Sequence, residues 1–182
     1  VADAFVDLDG NGTAAWQSVL VGGLRGGGKG VFAIDVTDPS SLGTVAGAAG
    51  SVLWEFTHND LGYTFSDIRI GKLNNGKWAA IFGNGYNNDP TGDGTAKVFI
   101  VYLDGTNVGS PIILETGAGN MANGDCADAG SDCNGMSTPA TVDLNGDGVI
   151  DRIYAGDLHG QMWSFDLKSS NTSNWKSAYG VS

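Results

Sequence analysis

The sequence predicts an all-β protein, a partial β-propeller of about three four-stranded antiparallel blades. Apolar residues occur in short runs separated by glycine and asparagine turns, and 30 of the 182 residues are glycine. A group of four such runs occurs three times along the chain. A four-stranded blade has two apolar faces, and it buries both only by stacking against further blades.

Each predicted strand is a short run rich in β-branched or aromatic residues with turn residues on both sides. Within each unit the second run ends in glycine and the third ends in aspartate. Those aspartates, Asp35, Asp104 and Asp166, lie 69 and 62 residues apart. The predicted strands are residues 3–7, 16–23, 31–35 and 52–56 in the first unit, 67–71, 78–83, 100–104 and 112–115 in the second, and 138–143, 151–156, 162–166 and a weak 175–179 in the third.

Three blades do not close a ring, because propellers typically have four to eight. We therefore expect residues 1–182 to be a fragment of one propeller domain from a longer protein, with no visible signal peptide. Its outer blades would leave apolar faces uncovered, so we expect self-association or marginal stability. An all-β sandwich is the alternative. The approximate blades are residues 1–60, 61–120 and 134–182, with a cysteine-bearing loop at 121–133.

The charge of the chain limits its partners. Nine lysines and arginines against 20 aspartates and glutamates give a formal net charge of −11. Nucleic acids and anionic membranes require a basic face, so neither is expected as a partner. No apolar stretch approaches the roughly 20 residues of a membrane span. This composition favours bound cations or a plainly soluble surface.

The strongest motif is the sequence DLNGDGVID at residues 143–151. It has acidic or amide side chains at its first, third, fifth and ninth positions and a glycine at its sixth, like the start of an EF-hand calcium loop. Calcium prefers six to eight oxygen ligands, whereas magnesium requires a stricter octahedron. An acidic turn without an ion is the alternative. The predicted calcium ligands are Asp143, Asn145, Asp147, the backbone carbonyl of Val149, and Asp151.

The corresponding turns of the other two units are less complete. Residues 7–15 keep the alternating oxygens of Asp7, Asp9 and Asn11, but Ala15 replaces the acid at the ninth position. We interpret this turn as a weak or lost site. Residues 73–77 form a tight Asn-Gly turn without carboxylates. Only the third unit is therefore predicted to bind the ion well.

Cys126 and Cys133 lie in one polar, glycine-containing loop. A disulfide between them is predicted, which implies an oxidising compartment. Two free thiols are the alternative. A zinc site is less favoured, because zinc usually has four ligands and no histidine lies nearby in the sequence.

The remaining motifs do not indicate catalysis. Residues 23–29 match the spacing of a phosphate-binding loop, but Gly30 and a β-run follow instead of a hydroxyl residue and a helix. Residues 84–94 are interpreted as a solvated turn, with ligand binding as the alternative. His58 and His159 are isolated, and no nucleophile, base and oxyanion set is evident. We therefore predict that the chain is not an enzyme.

Five blocks of the chain resemble a known family. They are VLVGGL at 19–24, GKGVFAIDVTDP at 28–39, VLWEF at 52–56, WAAIFGNGY at 78–86 and YAGDLHGQMWSFDL at 154–167. In this order they resemble the C-terminal propeller of the PilY/PilC-type type IV pilus biogenesis factors and tip adhesins. Residues 65–68 depart from the family pattern in lacking a proline.

The resemblance implies a modified seven-bladed propeller with one calcium loop, whose ligands correspond to the five residues predicted above. It implies an extracytoplasmic protein at the pilus tip or outer membrane surface of a Gram-negative bacterium, with the periplasm as a transit compartment. Calcium occupancy would regulate pilus extension against retraction, and so twitching motility and attachment. The implied partners are pilus components or minor pilins, and a host surface receptor reached through the full-length protein.

Three other functions stay open. Residues 33–37, followed by Trp54, are similar to the blade pattern of quinone-dependent dehydrogenases, which hold calcium beside a quinone at the ring centre. The self-contained loop at 143–151 argues against that arrangement. An integrin α-subunit-like receptor module would carry such loops on several adjacent blades. A purely structural calcium site in a secreted adhesin is the third alternative.

Overall fold

The computed structural model describes residues 1–178, which form three β-sheets that follow one another along the chain. One short helix, α1 (Val45–Gly50), and two 3-10 turns, Pro39–Gly43 and Thr172–Asn174, lie between strands. The strands are β1 (Ala2–Val6), β2 (Ala15–Gly23), β3 (Val31–Asp35), β4 (Val52–Phe56), β5 (Arg69–Leu73), β6 (Trp78–Gly83), β7 (Lys97–Tyr102), β8 (Ile112–Glu115), β9 (Ala140–Val142), β10 (Val149–Ile150), β11 (Arg152–Gly156), β12 (Met162–Asp166) and β13 (Lys176–Ser177).

The three sheets confirm the predicted fold class of about three four-stranded antiparallel blades. The first blade is β1-β2-β3-β4, the second contains β5-β6-β7-β8, and the third is β9-β11-β12-β13; within each blade neighbouring strands are antiparallel. The second sheet has a fifth strand that was not predicted. This strand is β10, which leaves the loop between β9 and β11 and pairs in parallel with β5.

Several predicted strand ends shift. The predicted strand at 100–104 is β7 at Lys97–Tyr102, because the carboxylate of Asp104 accepts the backbone N–H of Thr106 and begins a turn. The weak strand predicted at 175–179 is reduced to Lys176–Ser177, and Tyr179 lies outside the described residues. Among residues 1–178, no helix is long and apolar enough to cross a membrane.

The second blade supplies side chains to two cores. Alternate residues of its central strands point to opposite faces of the sheet. Ala80, Phe82, Phe99 and Val101 join the core of the first blade, where Phe82 and Phe99 meet the ring of Phe56 at centroid distances of 5.8 and 5.5 Å. The second core, facing the third blade, contains Ala79, Ile81, Val98, Ile100, Ile153 and Phe165. Both faces of the middle sheet are therefore buried.

Asn84, fully buried just after the end of β6, bonds to backbone groups of three other segments. Its amide nitrogen donates to the carbonyls of Asp60 and Thr95 at 3.1 and 2.9 Å. Its amide oxygen accepts the backbone N–H groups of Lys97 and Met136 at 3.0 and 2.9 Å. The interpretation of residues 84–94 as a solvated turn is therefore wrong at Asn84, which satisfies backbone groups that burial would leave unpaired.

Replacing Asn84 by alanine should destabilise the chain strongly. The substitution removes the partner of four backbone groups, two of them in buried hydrogen bonds, so we expect a loss of about 3 kcal/mol or more in the free energy of unfolding. Asn88 is the matched control, because it is 2% exposed and neither amide atom has a hydrogen-bond partner among residues 1–178. Asn88→Ala should cost about 1 kcal/mol or less. Equal losses in urea unfolding of the two variants would contradict the role assigned to Asn84.

Candidate metal centre

Residues 143–151, called the calcium loop after the ion that the sequence predicts for it, connect β9 to β11, and Asp143 organises the loop. One carboxylate oxygen of Asp143 accepts the backbone N–H groups of Asn145 and Gly146 at 3.1 and 2.7 Å. The other accepts the N–H of Gly148 at 2.8 Å. Gly146 and Gly148 have φ values of 80° and 81°, a conformation that side chains with a Cβ rarely adopt. The two glycines therefore allow the loop to fold around Asp143.

Asn145 and Asp147 continue the same pattern. The side-chain oxygen of Asn145 accepts the N–H of Asp147 at 3.1 Å, and a carboxylate oxygen of Asp147 accepts the N–H of Val149 at 2.9 Å. The amide nitrogen of Asn145 also donates to the second carboxylate oxygen of Asp147 at 3.1 Å. Backbone hydrogen bonds thus fix the side-chain oxygens at alternate positions of the loop.

Asp151 differs from the other predicted ligands because only 5% of its surface is exposed. One carboxylate oxygen accepts the N–H of Leu144 at 2.9 Å, which closes the loop. The other lies 3.4 Å from the amide nitrogen of Asn74, in the turn between β5 and β6. The same nitrogen donates to the carbonyl of Ile150 at 3.0 Å. Sequence reasoning did not connect Asn74 with this loop, because Asn74 and Asp151 are 77 positions apart.

The donor set of the loop fits calcium in its chemistry. All five predicted ligands offer oxygen, which is the donor that calcium prefers. Across residues 1–178, no three aspartate, glutamate, histidine or cysteine side chains converge closely enough to form a metal site by themselves. A calcium ion in this loop would therefore need the amide oxygen of Asn145 and the carbonyl of Val149 in addition to the carboxylates.

The turn at residues 7–15 has four of the backbone hydrogen bonds that the calcium loop has. The carboxylate of Asp7 accepts the N–H groups of Gly10 and Gly12 at 2.9 and 2.8 Å, and Asn11 accepts from Thr13 at 2.7 Å. Ala15 stands where the calcium loop has its buried ninth-position acid. The turn conformation is therefore common to both loops, and the carboxylate of Asp151 is what distinguishes the predicted site.

The predicted disulfide between Cys126 and Cys133 is confirmed, with an S–S distance of 2.13 Å. The segment that follows the disulfide contacts the C-terminal end of β11, whereas the calcium loop precedes the N-terminal end of this strand. Asn134 donates to the carboxylate of Asp157 at 2.9 Å, just after β11 ends. The disulfide and the calcium loop are thus separate features, placed at opposite ends of one strand.

The comparisons with known proteins agree with this architecture. A family model, the PilY1 beta-propeller domain, matches residues 1–180. The chain belongs to the PilY1 β-propeller family. The predicted resemblance is thereby confirmed, together with the propeller fold class.

Relatives in two bacteria show how much of a PilY1 protein this chain represents. It is 39% identical over 183 residues to a type IV pilus biogenesis factor PilY1 homolog of Xylella fastidiosa, covering 98% of this chain and 11% of that protein. It is 39% identical over 178 residues to PilY1 of Pseudomonas aeruginosa strain UCBPP-PA14, covering 96% of this chain and 13% of that protein. The chain therefore spans about an eighth or less of each relative's length.

A solved structure extends the comparison to the fold. The crystal structure of the Pseudomonas aeruginosa PilY1 C-terminal domain matches with a TM-score of 0.74 and 34% identity. The match covers 98% of this chain and 34% of that domain. The three blades thus correspond to about a third of the PilY1 C-terminal domain.

The pKa of Asp143 provides a test of the loop geometry in solution. The hydrogen bond from the Gly148 N–H is the main reason that this pKa lies below its ordinary value of 3.8, and the Gly12 N–H has the same effect on the pKa of Asp7. Ionised Asp143 therefore stabilises the folded loop above the unfolded pKa, and the contribution is lost as pH falls through the folded pKa.

We expect carbon-13 NMR titration without calcium to give both carboxyl groups a pKa below 3.8. The Asp143→Asn variant identifies the Asp143 carboxyl resonance, because that signal is missing from its spectrum. The variant should also lack the part of the stability that the unmodified chain loses in acid when Asp143 becomes protonated. A titration of Asp143 at or above its ordinary value would mean that the Gly148 hydrogen bond does not form in solution.

Proposed function

We propose that this chain is the calcium-binding region of a type IV pilus biogenesis factor. In this proposal, calcium occupancy of residues 143–151 regulates pilus extension against retraction, and thereby twitching motility and attachment. Membership of the PilY1 family supports the pilus role. The observation that carries the calcium role is the loop itself, in which hydrogen bonds hold oxygen donors at alternate positions.

Each of the five predicted residues would supply a different oxygen ligand to calcium. Asp143, Asn145 and Asp147 would supply side-chain oxygens, Val149 its backbone carbonyl, and Asp151 the closing carboxylate. Bound calcium would supply positive charge to a loop that otherwise collects three carboxylates. Extracellular calcium modules bind at about 0.1–1 mM and sensors more tightly, so we expect micromolar to sub-millimolar affinity.

Regulation requires that a partner distinguish the calcium-bound form from the free form. Calcium shifts an equilibrium only by binding one form more tightly, and the partner must also prefer that form. We propose that the partners are pilus components or minor pilins, with a host surface receptor engaged through the full-length protein. The disulfide supports an extracytoplasmic location, at the pilus tip or outer membrane surface after passage through the periplasm.

The proposed role is not enzymatic. The Pseudomonas aeruginosa relative that supports this role is named a type IV pilus biogenesis factor. The proposed ion lies in a loop joining two strands of one blade, where all five predicted ligands come from nine consecutive residues. The alternative of a purely structural calcium site predicts the same binding but no effect of calcium on pilus function.

Calorimetric titration with calcium tests the loop. We expect binding by the unmodified chain and none by Asp147→Ala or Asp151→Ala, because each substitution removes a carboxylate from the proposed shell. Asp9→Ala, in the similar turn at residues 7–15, is the matched control and should bind as the unmodified chain does. Calcium binding by either loop variant at the unmodified affinity would refute the assignment.

A second measurement separates regulation from simple stabilisation. The full-length protein carrying Asp147→Ala should alter twitching motility in its own bacterium, while Asp9→Ala should leave motility unchanged. If Asp147→Ala abolishes calcium binding but leaves both motility and pilus number intact, calcium has only a structural role.

A further inference from the structure

The calcium loop is attached to the second blade as well as to the third. Its residues Val149 and Ile150 form β10 and pair in parallel with Lys72 and Leu73 of β5. The other pairings of these blades are antiparallel and remain within one blade. This two-residue pairing therefore joins the last part of the loop to a neighbouring blade.

The pairing of β10 with β5 forms a junction between the third and second blades, and side chains from both strands are buried there. Ile150 is 7% exposed and shares the core of the second and third blades with Leu73, which is 1% exposed. Gly71 makes room for Ile150, because a Cβ at Gly71 would clash with the Cδ1 atom of Ile150. The backbone immediately before Asp151 is thus held by β5 and by the core between the blades.

Asn74 completes the junction and contacts a predicted calcium ligand. Its amide nitrogen lies 3.0 Å from the carbonyl oxygen of Ile150 and 3.4 Å from a carboxylate oxygen of Asp151. Since the other oxygen of Asp151 accepts from Leu144, both oxygens of this buried carboxylate have a donor. Donors behind a metal ligand orient it and commonly change metal affinity 10–100-fold when removed.

We propose that Asn74 is a positioning residue for the calcium site, and that bound calcium strengthens the junction between the second and third blades. The proposal rests on the proposed function, because it requires calcium to bind residues 143–151. Asn74 would hold Asp151 in place for the ion. By linkage, an ion that binds better when the junction is formed must also stabilise that junction.

Asn75 is the natural control for Asn74. It occupies the next position of the same Asn-Gly turn, but its amide nitrogen donates to the hydroxyl group of Tyr102 at 2.7 Å. Its side-chain oxygen accepts the N–H of Lys77 at 3.2 Å. Asn75 therefore stabilises the turn within the second blade, and its described hydrogen bonds do not reach the calcium loop.

The first test compares how much calcium raises the melting temperature Tm of each variant. Asn74→Ala should bind calcium about tenfold more weakly in calorimetry and show a smaller calcium-induced rise in Tm. Asn75→Ala should lower Tm with and without calcium, and keep the calcium affinity and the calcium-induced rise. Asn74→Gln, which retains an amide donor, should recover part of the affinity.

Hydrogen exchange on the unmodified chain tests the junction independently of any variant. Calcium should slow exchange at the backbone amides of β10 and at Lys72 and Leu73 of β5. Unchanged exchange in β5 at saturating calcium would overturn the proposal, as would equal affinities of Asn74→Ala and the unmodified chain. If the unmodified chain binds no calcium, both this proposal and the proposed function fail; if it binds and only these effects are absent, the proposed function survives.

Discussion

The burial of the second blade on both faces is the constraint on which the rest of the structure depends. Its central strands supply Phe82 and Phe99 to one core, and Ile81 and Ile100 to the other. A sheet that is apolar on both faces must be covered twice, and the first and third blades provide the two covers. The packing of the strands therefore determines where the turns between them lie, including the calcium loop, although the turns contribute few side chains to the core.

The calcium loop is an exception at its end, where it enters this core. Residues 143–148 are exposed, whereas Ile150 and Asp151 are buried between the second and third blades. An exposed oxygen-rich turn is thus joined to a buried blade junction within a few residues. In the proposed account this short connection lets an ion at the surface influence how two blades are held together.

Much of the fold follows from local sequence. The strands Val31–Asp35, Val52–Phe56 and Trp78–Gly83 have the predicted bounds, since turn residues limit each apolar run. The disulfide and the loop motif also depend on residues close together in the chain. The roles of β10, Asn74 and Asn84 were not predicted, because their partners are distant in the sequence. Local periodicity carries no signal for a two-residue parallel pairing or for a buried amide that bonds to three other segments.

The most direct test of calcium binding is a crystal structure of this chain grown with calcium. The account predicts one ion in the loop, with oxygens of Asp143, Asn145, Asp147, Val149 and Asp151 about 2.3–2.6 Å away and with Asn74 still in contact with Asp151. A structure at saturating calcium in which residues 143–151 are ordered but hold no ion would contradict the central claim.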